Sequence, residues 1–247
     1  MAVLTAATRE RLSQMQQQGY IGVDNLEVMQ EAVNYNRHLL DLVRGCAPAH
    51  GKVLDFGAGA GQFAAPLSAL GLDITALEPD PGLQQRLRDQ GLHAVGSTSE
   101  IRDQSYDYVY TLNVLEHIED DVAALRSLHA KLRPGGKLLI YVPAFQILYT
   151  SMDAKVGHVR RYTRGMLTSR VQAAGFRIDR VAYADSLGFF ASLLFKLIGN
   201  KEGTVSRSAL KLYDRFIFPL SRALDLLARR WFGKNLLLTC TKLDNAR

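Results

Sequence analysis

Residues 53–63 read VLDFGAGAGQF. A short apolar run carries one acid, Asp55, and ends in Gly57, Gly59 and Gly61, spaced by small residues such as Ala58. Such a run is a buried strand turning sharply into a helix, where missing side chains let a ligand lie against the backbone. The spacing is Asp-x-Gly-x-Gly-x-Gly, not the Gly-x-Gly-x-x-Gly of dinucleotide sites. A diphosphate here would meet the Asp55 carboxylate with like charge, whereas a cationic ligand would be attracted.

Downstream the strand–helix alternation continues. DITALE (73–78) reads as a strand, 81–90 as a helix closed by Gly91, and HAVGS (93–97) as a short strand. YDYVYTLN (106–113) is a strand and 120–132 a helix. GGKLLIYVP (135–143) is a strand after the Pro134-Gly135-Gly136 turn. Thr163 opens a helix over 163–174 that Gly175 stops; FRIDRVAYA (176–184) and NLLLTCTKL (235–243) are the last strands. Upstream, 24–43 and 60–70 carry helical apolar spacing. This pattern predicts an α/β fold, a parallel-rich sheet with helices on both faces.

The 247 residues suit one domain with elaborations: an N-terminal helical cap over 1–47 and a helical insertion over 186–234, between the last two strands. Hydrophobic content of 47% against 22% charged excludes global disorder. Cys46 and Cys240 sit in no metal spacing and read as reduced thiols. No metal is expected. The first twenty residues lack an apolar h-region, and no run of about 18 uncharged apolar residues occurs, so neither a signal peptide nor a spanning helix is expected. The expected setting is cytoplasmic, at the inner face of the membrane if the basic segment described next meets lipid.

The net charge of +6 is local. Between Lys196 and Lys234 there are nine Lys and Arg against three Asp and Glu, so the rest of the chain is balanced. That argues against a nucleic-acid-coating protein. In the same segment Leu210, Tyr213, Ile217, Leu220, Leu224, Leu227 and Trp231 form a helical apolar stripe interleaved with Lys211, Arg215, Arg222, Arg229 and Arg230. Pro219 should kink it or start a second helix. Three partners compete for 187–232: the domain or a second copy in a homodimer, a hydrophobic acceptor in a pocket, and an anionic membrane surface.

Glu78, at the end of its strand, can accept both hydroxyls of a ribose, which implies an adenosine-type ligand. VLDFGAGAGQF, ALEPD, YDYVYTLNVLEHIED and LRPGGKLLIYVP, in this order and at these separations, resemble class I S-adenosylmethionine-dependent methyltransferases over residues 34–176. NYNR before the first strand and GHVRRYT after the fifth resemble a narrower bacterial subgroup. The resemblance implies a Rossmann-like seven-stranded sheet, mostly parallel with an antiparallel last strand, and S-adenosylmethionine over the strands' carboxyl ends. It assigns Asp55 and the glycine loop to the methionine half, Glu78 to the ribose and Pro79 to the adenine edge. Ser97, Thr98 or Ser99 would replace the acid that often meets the adenine amino group. Asn113 and Val114 would line the transfer position, and Tyr35 and Asn36 would close the ligand from above.

Methyl transfer needs a positioned acceptor and, for some acceptors, a base. His158 and His117 are the candidate catalytic bases. Arg160, Arg161 and Tyr162 sit beside His158 on the side expected to face the acceptor and would bind an anionic group. The activity expected is methyl transfer to a small or lipid-like, anionic acceptor. The alternative is a member of the fold that has lost catalysis and serves as a binding or regulatory protein. Nucleic acid is disfavoured as substrate, because LNVLEH replaces the Asn-Pro-Pro-aromatic cluster of base-amino methylation.

Overall fold

The computed structural model describes residues 29–198 and 206–243. The expected start of the first helix at Asp24, most of the cap and most of NKEGTVS (200–206) lie outside those residues.

The chain alternates as the apolar pattern dictates. Helix α1 (Val33–Cys46) precedes β1 (Lys52–Phe56), α2 (Ala64–Ala69), β2 (Asp73–Leu77), α3 (Pro81–Asp89), β3 (His93–Val95) and β4 (Tyr106–Leu112). Then come α4 (Asp121–Lys131), β5 (Leu132–Pro143), α5 (Ser151–Lys155), α6 (Arg164–Ala173) and β6 (Phe176–Ala184). The insertion holds α7 (Ser186–Ile198), α8 (Arg207–Leu212), a π-turn (Tyr213–Ile217) and α9 (Phe218–Ala228), and β7 (Asn235–Lys242) follows.

The seven strands form one sheet in the order β3-β2-β1-β4-β5-β7-β6. Strands β1 to β5 pair in parallel, and β7 is antiparallel to both β5 and β6. The last strand alone therefore opposes the others, as expected. The two-residue pleat divides the core. Leu54, Val109, Leu138 and Ile140 pack with Leu125 and Leu128 of α4 and Leu167 and Val171 of α6 on one face. Val53, Ile74, Tyr108, Leu139 and Tyr141 pack with Leu39 and Val43 of α1, Leu67 of α2 and Leu87 of α3 on the other.

Local chemistry sets the ends. Asp80 caps α3 by accepting Leu83 N–H at 2.8 Å, with Pro81 in the first turn. Asp120 caps α4 and Thr163 caps α6 in the same manner. Helix α2 begins at Ala64, later than the expected 60, because the glycine loop and the turn after it take up the intervening residues. At Pro134-Gly135-Gly136 the β4–β5 register jumps from Tyr106–Leu132 to Tyr108–Lys137, so β5 absorbs the expected turn as a bulge.

Three carboxylates hold the insertion down. Asp214 accepts the N–H groups of Asn34 (2.9 Å) and Tyr35 (2.8 Å), capping α1, whose own N-cap residue, Ala32, offers no side-chain acceptor. Asp225 accepts Asp185 and Ser186 N–H, both at 2.8 Å, at the start of α7. Buried Asp185 receives the hydroxyls of Tyr213 (2.5 Å) and Ser221 (2.8 Å).

Candidate functional site

The carboxyl ends of β1, β2 and β4 meet at the glycine loop. Gly57 and Ala58 donate to Leu77 O at 2.9 and 3.0 Å, tying the loop to the end of β2. Gly57 (φ 84°), Gly59 (φ 54°) and Gly61 (φ 85°) all occupy the left-handed region. A Cβ on Gly57 would lie 2.4 Å from a methyl of Val114, so the loop has no room for a side chain there.

Asp55 lies beneath this loop, 3% exposed, and its Oδ2 has no hydrogen-bond partner. Burial raises its carboxyl to about 7; the Tyr110 hydroxyl opposes this and Glu78 adds to it. Glu78 accepts Gly59 N–H (2.8 Å) on Oε2 and Asp80 N–H (3.0 Å) on Oε1. Burial raises Glu78 as well, against those two donors. Each of its oxygens keeps a further lone pair for a hydroxyl. A buried acid with one free oxygen, a loop of glycines and alanines and a second acid with acceptor capacity fit the ammonium and ribose of the expected methyl donor.

The remaining expected ligand residues divide. Asn113 takes φ 55° as β4 ends and donates its N–H to Tyr141 O at 2.8 Å. Tyr35 packs edge-on against Tyr141 and Phe218, with ring centroids 6.3 and 5.5 Å apart. Burial holds its phenol well above the ordinary range, opposed by the Asn113 side chain. Tyr35 thus joins α1, β5 and α9 around the end of β4. The Asn36 side chain donates to Met29 O at 2.9 Å. Exposed Pro79 follows Glu78, and Ser97 follows β3 with its hydroxyl 2.6 Å from that of Ser99. Thr98 begins the short turn there, and Glu100 takes the N–H groups of Gly96 and Ser97.

Beside this centre the loop 144–162 folds onto the turn after β4, with Val159 N–H on Glu116 O at 2.8 Å. His158 Nδ1 lies 2.7 Å from Asp153 Oδ1, and its Nε2 lies 3.8 Å from Glu116 Oε1. The His117 and His158 rings meet edge to face, 4.7 Å between centroids. Burial, then the neighbouring His158, lowers His117 to about 4 and makes it a poor base. Glu116 is wholly buried, neither oxygen has a hydrogen-bond partner, and burial pushes it up to about 8. One ligand atom from each of Glu116, His117 and His158 falls within 4.8 Å of the others, a juxtaposition hidden by their sequence spacing.

Arg160, Arg161 and Tyr162, expected to bind an anionic group, are engaged by the protein's own groups. Arg161 is buried and grips Asp153 through Nε (2.8 Å) and Nη2 (2.9 Å). Arg160 donates to Ile118 O (2.5 Å), Glu119 O (2.7 Å) and Asp121 (3.2 Å). The buried Tyr162 hydroxyl donates to Asp121 (2.7 Å) and lies 3.0 Å from Leu115 O. The protein's own acids and carbonyls engage both guanidiniums, so neither presents an open fork to an acceptor.

Asp153, Glu116 and Phe145 were missed as site residues. Asp153 had a sequence signal: Thr150 and Asp153 make a capping box, with Thr150 N–H on Asp153 Oδ2 at 2.8 Å. Nothing in the spacing of NVLEHIED sets Glu116 apart. Phe145 stacks on Tyr183 at 4.8 Å and meets Phe189 edge-on at 5.5 Å; Phe189 meets Phe232 at 5.6 Å. This aromatic wall joins the loop after β5 to the insertion, and no sequence spacing announces it.

A family model described as "Methyltransferase domain" matches residues 29–181. Among curated relatives, "Ubiquinone biosynthesis O-methyltransferase" of Xanthomonas axonopodis pv. citri is 31% identical over 103 residues, 38% of this chain and 43% of that protein. The protein of that name in Azorhizobium caulinodans is 29% identical over 169 residues, 59% of this chain and 67% of that one. The matched segment thus spans less than half of the Xanthomonas relative. A Thermotoga maritima structure described as a SAM-dependent methyltransferase, possible histamine N-methyltransferase, superposes with TM-score 0.60 at 17% identity, covering 90% of this chain and 97% of that one. The Burkholderia thailandensis 1,6-didemethyltoxoflavin-N1-methyltransferase, solved with bound 1,6-didemethyltoxoflavin and S-adenosylhomocysteine, gives TM-score 0.58 at 18% identity, covering 99% of this chain and 94% of that one. At these identities the structural likeness concerns the fold.

Proposed function

The chain belongs to the methyltransferase domain family, and on that premise we propose that it methylates a hydroxyl of a small, lipid-like acceptor. S-adenosylmethionine, when bound, supplies an electrophilic methyl on a sulfonium. The observation that carries the reading is the buried Asp55 carboxylate, its Oδ2 without a hydrogen-bond partner, beneath a loop that has no room for a side chain at Gly57. Asp55 holds the donor's ammonium, Glu78 its ribose hydroxyls, and Ser97 and Pro79 flank the adenine. Asn113, Val114 and Tyr35 shape the transfer position.

His158 takes the acceptor's hydroxyl proton at Nε2 while Asp153, on Nδ1, fixes the tautomer and steadies the charge that forms. His117 packs on that ring and keeps it in place. The designation of the relatives as O-methyltransferases supports a hydroxyl as acceptor. The wall of Phe145, Tyr183 and Phe189 supports an apolar body on it. With Arg160 and Arg161 already engaged, the reading carries no requirement for an anionic group.

The test is transfer of labelled methyl from S-adenosylmethionine to fractionated lipid and soluble extracts, with mass identification of the product. Label on a hydroxyl of an organic-extractable product is expected. Label confined to water-soluble products would overturn the lipid-like acceptor. Donor binding without turnover on any fraction would favour a binding protein of the same fold.

A further inference from the structure

We propose that α7 and α9 of the insertion, with the π-turn between α8 and α9, form a docking surface that lies in the plane of an anionic lipid bilayer. The inference goes beyond methyl transfer and concerns where the protein works.

The sequence stripe would ordinarily be assigned to packing, and the structure turns most of it outward. The buried positions of the π-turn and α9 are Asp214, Phe218, Ser221 and Ala228. Their spacing of four, three and seven marks the face that meets the domain. Leu212, Phe216, Leu220, Leu224, Leu227 and Trp231 step by four, four, four, three and four along the other side. Leu220, Leu227 and Trp231 there are 61, 72 and 68% exposed. Beside this row α7 shows Phe190, Leu194 and Leu197, again at helical spacing and exposed. The two helices are joined where Leu187 N–H donates to Ser221 Oγ at 2.9 Å. Eleven of the sixteen exposed large apolar side chains among the described residues fall between Phe190 and Trp231. A concentration of that kind marks an interaction surface.

Charge selects the occupant. Between residues 206 and 231 there are six Arg and Lys and only two acids, Asp214 and Asp225. Both acids point inward, onto the first turns of α1 and α7. Arg207 and Lys211 are paired with Glu31. Arg215, Arg222, Arg229 and Arg230 remain as exposed cations flanking the apolar row, and Arg215 lies over the Phe216 ring at 5.4 Å. A second copy docking by the same patch would set these cations against their own equivalents, which disfavours a symmetric dimer. An anionic headgroup layer accepts the arginines while its acyl boundary accepts the leucines and the indole. No helix among the described residues is long and apolar enough to cross a membrane, so the surface lies on the bilayer.

Trp231 is the only tryptophan of the chain, so its fluorescence reports this surface alone. The experiment mixes the full-length protein, without methyl donor or acceptor, with extruded vesicles of phosphatidylglycerol or of phosphatidylcholine at low and high salt. Expected are co-sedimentation and a blue-shifted emission with phosphatidylglycerol at low salt, both reduced by 0.5 M salt and by phosphatidylcholine. Leu220→Ser with Leu227→Ser should abolish binding. Arg222→Gln with Arg230→Gln should weaken partitioning roughly 25-fold, at about fivefold per surface cation. Circular dichroism and donor binding should match the parent in both double variants, which separates loss of docking from loss of fold. Unshifted emission with the anionic vesicles would overturn the proposal. So would a dimer in sedimentation equilibrium that the leucine variant dissociates. Vesicle binding is read without turnover, so its failure and failure of the methyl-transfer reading are distinguishable.

Discussion

Nδ1 of His158 lies 2.7 Å from Oδ1 of Asp153, and that same carboxylate is clamped through both oxygens by the buried guanidinium of Arg161. One acid therefore orients the candidate base and neutralises a buried cation. Burial alone would raise Asp153, yet His158 and Arg161 hold it well below the ordinary carboxylate range. Arg161→Ala should destabilise the fold by about 3–5 kcal/mol, because it leaves a buried acid without its cation. Urea unfolding measures this. A loss below about 1 kcal/mol, with weakened acceptor binding, would return Arg161 to the acceptor site. The depressed folded value also makes Asp153 an acid trigger. Its stabilisation is present above the unfolded carboxylate value and disappears as pH falls towards the folded one.

His158→Ala should lower kcat by roughly 10²–10⁴-fold while leaving donor affinity within about twofold, the pattern of a lost proton acceptor. If kcat survives and the melting temperature falls instead, His158 is a packing residue of the Asp153 cluster.

Asp55 should tie donor affinity to pH. Its folded carboxyl lies near 7, so affinity for a cationic donor should rise between pH 6 and 8. Asp55→Asn should flatten that slope and weaken binding by roughly 10–100-fold, the scale of a charge-assisted hydrogen bond. The stability effect has the opposite sign. A raised folded value stabilises most below the unfolded carboxylate value and less as pH climbs through 7, so the ligand-free variant should outlast the parent at pH 8. Calorimetric titration and thermal melts at both pH values check the two halves.

Gly57→Ala meets two obstacles, the positive φ and a Val114 methyl 2.4 Å from the added carbon. A cost of about 1–3 kcal/mol is expected. Adding Val114→Ala removes the clash and leaves the dihedral strain, so it should recover only part of the loss in a denaturant titration.

Asp214→Ala uncaps α1 from the insertion side and should cost about 0.5–2 kcal/mol. Amide hydrogen exchange should accelerate at Asn34 and Tyr35, the two donors that Asp214 accepts, and stay unchanged in β4. Equal protection at those amides would show that the latch lies elsewhere.

Most of the sheet was legible because strands and helices announce themselves by local period. Asp55, Gly57, Gly59, Gly61 and Glu78 were legible for a related reason: a strand-to-helix turn is a short-range object, and its residues keep their spacing after folding. GHVRRYT was not readable in the same way. Its arginines look like open anion forks until the fold brings Asp153, Asp121 and the carbonyls of Ile118 and Glu119 to them. Glu116 resembles a surface acid until the loop after β5 covers it.

The strand–helix alternation, the glycine turn with its acid and the concentration of basic and apolar residues in the insertion are written in neighbours along the chain, so they can be read before folding. Which guanidiniums are already paired, which histidine sits on an acid and which side of the insertion faces outward emerge only once the chain is folded. Those outcomes depend on groups far apart in the chain, such as Arg160 with Asp121 or Asp214 with the Tyr35 N–H. A one-dimensional period carries no information about which partner reaches a charge first.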